Sequence, residues 1–238
     1  MGASLNATKT ERVDDIPLLL AQMEKMEIAP LLDKHFPTHG NWQGLSLGQV
    51  VVGWLTYILS KGDHRLNSVR GWVAGLLMTL KACLGAPGVR ELDFTDDRLC
   101  LVLDHLGGDD AAREAYEGEQ NGTLLRVYDL KARRVRIDST TAKSYVAVTA
   151  DGLFQFGHSK EHRPDLPQLK INQAALDPLG LPLSTTIVSG ERADDPLYVP
   201  EIRKVQASLG QPRPARRALC GRLQDGVARH PRLHRGEP

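Results

Sequence analysis

Arg134-Val135-Arg136-Ile137-Asp138-Ser139-Thr140-Thr141 is the stretch on which the reading of this chain turns. Polar and apolar residues alternate over Arg134–Ile137, which is the period of a half-buried strand, and a β-branched pair follows Asp138. Upstream the period is helical. Ile16, Leu19, Leu20, Met23 and Met26 recur along Ile16–Met26, with Asp14 and Asp15 ahead of the run and Pro17 in its first turn. A short helix is expected over Ala29–His35, stopping before Pro37, and Pro37–Gly44 reads as a loop. Ser46 can cap a helix from Leu47 to near Ser60, which ends at Lys61-Gly62-Asp63. Val69–Cys83 reads as one further helix, broken by Gly85-Ala86-Pro87-Gly88. Thr95 caps another, carrying Leu99, Leu101, Val102, Leu103 and Leu106, and a last one covers Ala111–Leu130.

Downstream of the opening stretch, strands are expected at Gln168–Leu176 and Leu183–Ser189. Pro178-Leu179-Gly180 between them is a hairpin signal, so the two should run antiparallel. Ala193–Leu209 returns to a helical period through Tyr198, Ile202, Val205 and Leu209. The fold class is therefore α+β. A helical domain over residues 1–130 precedes an α/β domain over residues 131–210, and residues 211–238 form an Arg-rich tail with seven arginines and no lysine.

Hydrophobic residues make up 41% of the 238, enough for a sizeable core. A net charge of +1 predicts no partner by itself, so contact with nucleic acid would rest on local basic patches. Cys83, Cys100 and Cys220 are far apart and lack metal spacing, and read as thiols in a reducing cytosol. The polar start carries no secretory h-region, and runs such as Val50–Leu59 are too short to span a bilayer. These features predict a soluble, cytoplasmic protein with no membrane partner.

Asp138 follows an apolar strand directly, and a carboxylate there can hold a divalent cation at a sheet surface. The alternative is an ordinary turn or capping Asp beside Ser139. Phosphodiester transfer by two metal ions needs further carboxylates converging from other elements. Lys160, His162, Arg163 and Lys170 lie on or beside a hairpin that could face a phosphate backbone, or else they are a solvated charged loop. His158 and His162 have the spacing of a helical metal pair, but Pro164 and Pro167 argue against a helix, so zinc is not expected. Asp194 and Asp195 precede the last helix and are expected to cap it, and Glu191 is a further cation ligand if it lies near Asp138.

Three stretches, IDSTTAKSY at 137–145, GHSKEHRPDLPQLKI at 157–171 and FTDDRLCLVLDHL at 94–106, resemble the insertion-sequence-four family of transposases. The helical start DDIPLLLAQMEKMEIAPLLDKHF is similar to that family's N-terminal domain, so the resemblance covers residues 12–209. It implies a ribonuclease-H-like catalytic domain, transposon-end DNA as partner, and cleavage and strand transfer by an Asp, Asp, Glu triad holding Mg²⁺ (or Mn²⁺). Asp138 matches the first Asp. In the family the second Asp ends the next strand after the helix, in a motif like Tyr-Val-Gly-Asp-Cys-Lys-Met.

Here that place reads Ala218-Leu219-Cys220-Gly221-Arg222-Leu223-Gln224-Asp225. Read one nucleotide later, allowed codons for Leu219 onward can yield Tyr-Val-Gly-Asp-Cys-Lys-Met. A change of frame near residues 210–218 is inferred, which makes Asp225 an out-of-frame residue and leaves the α/β domain incomplete. The tail should then be exposed and irregular, and the sheet edge that would receive the family strand should be open. The alternative for the tail is a genuine basic arm. For the whole chain the alternatives are a transposase fragment carrying part of its site, a catalytically inactive DNA-binding or inhibitory fragment that pairs with itself or with full-length transposase, or a nuclease with a full carboxylate set.

Overall fold

The computed structural model describes residues 10–158, 162–209 and 218–221. The chain divides into two compact units at Asp129/Leu130, helical before and mixed after, so the architecture is α+β.

The first unit holds α1 (Ile16–Lys25), α2 (Ile28–His35), α3 (Leu47–Lys61), α4 (Leu66–Gly75), α5 (Leu77–Cys83), a 3-10 turn (Glu91–Phe94), α6 (Asp96–Gly107) and α7 (Asp110–Val127). α3 is its spine. Leu47, Val50, Val51, Val52, Trp54 and Tyr57 are all buried, and each buried Val or Leu side chain contributes about 1.5–3 kcal/mol. The start of α3 is tied down as its sequence suggests. Ser46 Oγ accepts from Gln49 N–H (3.2 Å), Gln49 Oε1 accepts from Ser46 N–H (3.1 Å), and Asp33 Oδ1 accepts from Gly48 N–H (2.7 Å). Gly62 closes the helix in the left-handed region at φ +61°. Thr95 caps α6 by accepting from Arg98 N–H.

Two helical expectations are corrected. The single helix over Val69–Cys83 is two, parted at Leu76, which leaves helical backbone (φ −128°, ψ 24°) while staying buried. Glu11, far away in sequence, makes the second start possible. Its carboxylate accepts from Met78 N–H (3.0 Å), Thr79 N–H (2.8 Å) and Thr79 Oγ (2.7 Å), filling the place of a local cap for α5. α7 stops at Val127 rather than Leu130, because Asp129 turns left-handed at φ +47°. Among the described residues no helix is long and apolar enough to cross a membrane.

The second unit is built on β1 (Arg134–Lys143), β2 (Gln168–Leu176), β3 (Leu181–Ser189), α8 (Asp195–Ser208) and β4 (Ala218–Gly221). The sheet order is β3-β2-β1-β4. β2 is antiparallel to both β1 and β3, with an irregularity at Ala174/Ala175, and β4 lies parallel to β1. The hairpin expected at Pro178–Gly180 is present, with Gly180 at φ +69° and its N–H on Leu176 O.

β1 is longer than expected. It runs on through the β-branched Thr140 and Thr141 to Lys143, because β2 pairs with it all the way to Gln168. Asp138 is therefore mid-strand, opposite Gln173, and not at a strand end. The expectation of an open sheet edge is overturned at residues 218–221. That segment, expected to be irregular, sets Leu219 against Val135 and Gly221 against Ile137. Alternating small and apolar residues in Ala218-Leu219-Cys220-Gly221 suffice for a short parallel strand beside an apolar one. The rest of the tail, Asp225 included, lies outside the described residues.

Candidate functional site

The two faces of the sheet have different chemistry. Strand alternation sends Val135, Ile137 and Ser139 of β1 to the buried face, together with Gln168, Lys170, Asn172, Ala174 and Leu176 of β2. α8 packs on β2 and β3, burying Glu201 and Val205. One half of this layer is apolar. The other half is a buried polar network.

Lys170 donates to Asp194 Oδ1 at 2.7 Å, with the two side chains only 6% and 13% exposed. Ser139, next to Asp138, lies 3.5 Å from the same Asp194 oxygen. Further along, Glu201 Oε2 accepts from Thr186 Oγ (2.7 Å) and from Asn172 Nδ2 (3.3 Å), and Lys204 donates to Thr186 Oγ at 3.0 Å. Glu201 Oε1 and Asn172 Oδ1 are buried with no hydrogen-bond partner among the described residues.

This geometry relocates two expected roles. Asp194 does not cap α8 with its side chain; it is the counter-ion of Lys170 and ties the segment before α8 to β2. Lys170 is buried and its ammonium is committed to that pair, so it does not present a free cation to a phosphate backbone. Among the other basic candidates, Arg163 is exposed and forks onto Asp165 through two 2.8 Å hydrogen bonds, which hold the Asp165 carboxyl below its ordinary value. His162 is exposed with φ +55°. Lys160 lies outside the described residues.

The other sheet face carries Asp138. Arg136, Asp138, Thr140, Gln173 and Asp177 line an open depression of about 470 Å³. Asp138 Oδ1 accepts from the Ser139 N–H at 3.0 Å. Arg136 and Arg134 both reach Asp177, at 2.9 and 3.3 Å, so both cations are paired with that carboxylate. The Tyr198 phenol is pushed above its ordinary value, first by burial and then by the charges of Asp194, Asp138 and Asp195.

Asp138 shares its depression with Asp177, but the two are not part of a ligand set. Among the described residues no three His, Cys, Asp or Glu side chains are grouped to hold a metal ion. Asp194, the carboxylate nearest in role, is neutralised by Lys170. The described donors therefore do not fit a two-ion centre. Sequence reasoning found Asp138 and missed the polar network. Its signal was the order Gln168, Lys170, Asn172 at every second position of β2, whose natural reading puts Leu169 and Ile171 inside. No family model, no curated protein and no solved structure matches this chain.

Proposed function

We propose that this chain is a DNA-binding form of an insertion-sequence transposase, with a ribonuclease-H-like catalytic unit in which only the first of three catalytic carboxylates, Asp138, is in place. The observation that carries the reading is the strand order. An antiparallel meander of three strands is followed by a helix, and the next strand returns parallel to β1 with Gly221 level with Ile137. That is the place the resemblance assigns to the strand ending in the second Asp. In the shifted reading frame allowed codons can give Asp after Gly221. Continuing the parallel register by one residue in a frame-restored chain sets it level with Asp138, on the same face of the sheet.

In the chain as it stands, Asp138 shares its open depression with a single other carboxylate, Asp177, which is already paired with Arg134 and Arg136, so cutting is not expected. The purified chain is expected to leave transposon-end duplex DNA intact with Mg²⁺ or Mn²⁺. A protein expressed after a one-nucleotide frame correction near codons 210–218, with its downstream reading frame, is expected to cleave that DNA and to lose cleavage by at least about a hundredfold on Asp138→Ala. Cleavage by the present chain that vanishes with Asp138→Ala would show the site to be complete and the proposal wrong.

A further inference from the structure

The start of β1 and the β2–β3 hairpin bring three charges together. Arg136 Nη2 donates to Asp177 Oδ1 at 2.9 Å, and Arg134 Nη1 donates to Asp177 Oδ2 at 3.3 Å. The Asp177 N–H donates in turn to Arg134 O at 3.0 Å, which ties this carboxylate to β1. Two guanidiniums thus share one carboxylate, and the triad keeps a surplus of one positive charge. A guanidinium has five N–H donors, and among the described residues each of these spends one on Asp177. The two arginine side chains are 60% and 62% exposed, while the carboxylate between them is 16% exposed. The cations face water and their counter-ion does not. Asp138 does not absorb the surplus. It stands two residues beyond Arg136 on the same face of β1, about 7 Å along the strand, and its carboxylate accepts from the Ser139 N–H. Ala175, level with Arg136, and Gly180 are small, so the depression stays open at its cationic end.

Two guanidiniums fixed at the head, with unspent donors and one surplus charge, suit the paired oxygens of a phosphodiester. The geometry points to Arg134, Arg136 and Asp177 as a phosphate-binding triad that holds one backbone phosphate of bound DNA in the depression beside Asp138. Asp177 is the positioning residue: it gathers the two heads and sets the surplus at one charge. This rests on the DNA-binding reading above and adds to it the surface and the residues that meet the backbone. It also supplies a phosphate contact that the buried Lys170 does not.

The test is fluorescence anisotropy of the full chain with a labelled DNA duplex of arbitrary sequence, because backbone contacts carry no sequence information. Salt is varied from about 50 to about 200 mM. Arg136→Gln and Arg134→Gln each cancel the surplus. Each is expected to weaken binding about threefold at the low-salt end and to lower the slope of log K against log salt by about one. Asp177→Asn doubles the surplus and should tighten binding by a similar factor, a gain that misfolding cannot imitate. Arg126→Gln removes the same charge from an exposed arginine of the helical unit, and should leave affinity within about twofold of the parent and the slope unchanged. Equal losses in Arg126→Gln and Arg136→Gln would trace the effect to net charge and overturn the triad. Parent-like affinity and slope in both Arg134→Gln and Arg136→Gln would overturn it too, while the DNA-binding reading stands. Failure of the parent chain to bind the duplex overturns both.

Discussion

Lys170→Ala is expected to destabilise the sheet unit by about 3–5 kcal/mol, the usual result of removing one partner of a buried ion pair. The ammonium is 2.7 Å from Asp194, and neither side chain has enough water to replace the other. Removing the cation strands a carboxylate under α8. In a domain of this size each kcal/mol moves the midpoint by about 4–8 °C, so the calorimetric transition of this unit should fall by more than about 12 °C. A second probe separates the units. Trp42, Trp54 and Trp72 are the only tryptophans and all lie in the helical unit, so tryptophan fluorescence should unfold where it did before. The double change Lys170→Met with Asp194→Leu should recover most of the loss, because apolar replacement of a whole buried pair is often neutral. A loss below about 1 kcal/mol in Lys170→Ala would show that the pair behaves as a solvated surface bridge.

Gly190→Ala is the second large effect. Three backbone segments meet at Gly190, immediately after β3. Its N–H donates to Leu153 O at 3.2 Å. A Cβ added there would overlap the Gln168 carbonyl oxygen and stand 2.7 Å from the Gln155 carbonyl oxygen. Both obstacles are main chain already engaged in the Gln155–Gln168 bridge, so neither can swing away as a side chain would. The expected loss is about 3 kcal/mol, the upper end for overpacking, and it should be accompanied by faster proteolysis within residues 144–158 as the base of the connection opens. Stability and cleavage rate equal to those of the parent would mean that the backbone contact is slack.

Helices and strands were legible where periodicity and capping chemistry are local. Ser46, Thr95 and Gly62 each do what their residue types suggest. Legibility failed where the deciding partner is remote. The break at Leu76 depends on Glu11, and the length of β1 depends on β2. In the site, Asp138 could be picked out because a strand pattern runs straight into a carboxylate. Its surroundings could not, because the polar residues of β2 are buried only once α8 brings Glu201 and the preceding segment brings Asp194. Lys170 looked like a surface cation for the same reason: nothing local in the sequence distinguishes a lysine facing solvent from one facing a buried aspartate.

β1 is flanked by β2 along nearly its whole length but by β4 only as far as Ile137. Successive amides of a strand point to opposite edges, so beyond Ile137 every second amide of β1 has no strand acceptor among the described residues. In deuterated solvent those protons need only a local fluctuation to exchange, whereas their neighbours aimed at β2 must wait for the sheet to open. The isotope pattern should therefore be evenly slow up to Ile137 and turn into a sawtooth from Asp138 to Lys143. Asp138 stands at the seam: among the described residues, it is the first at which this strand has a neighbouring strand on one side alone.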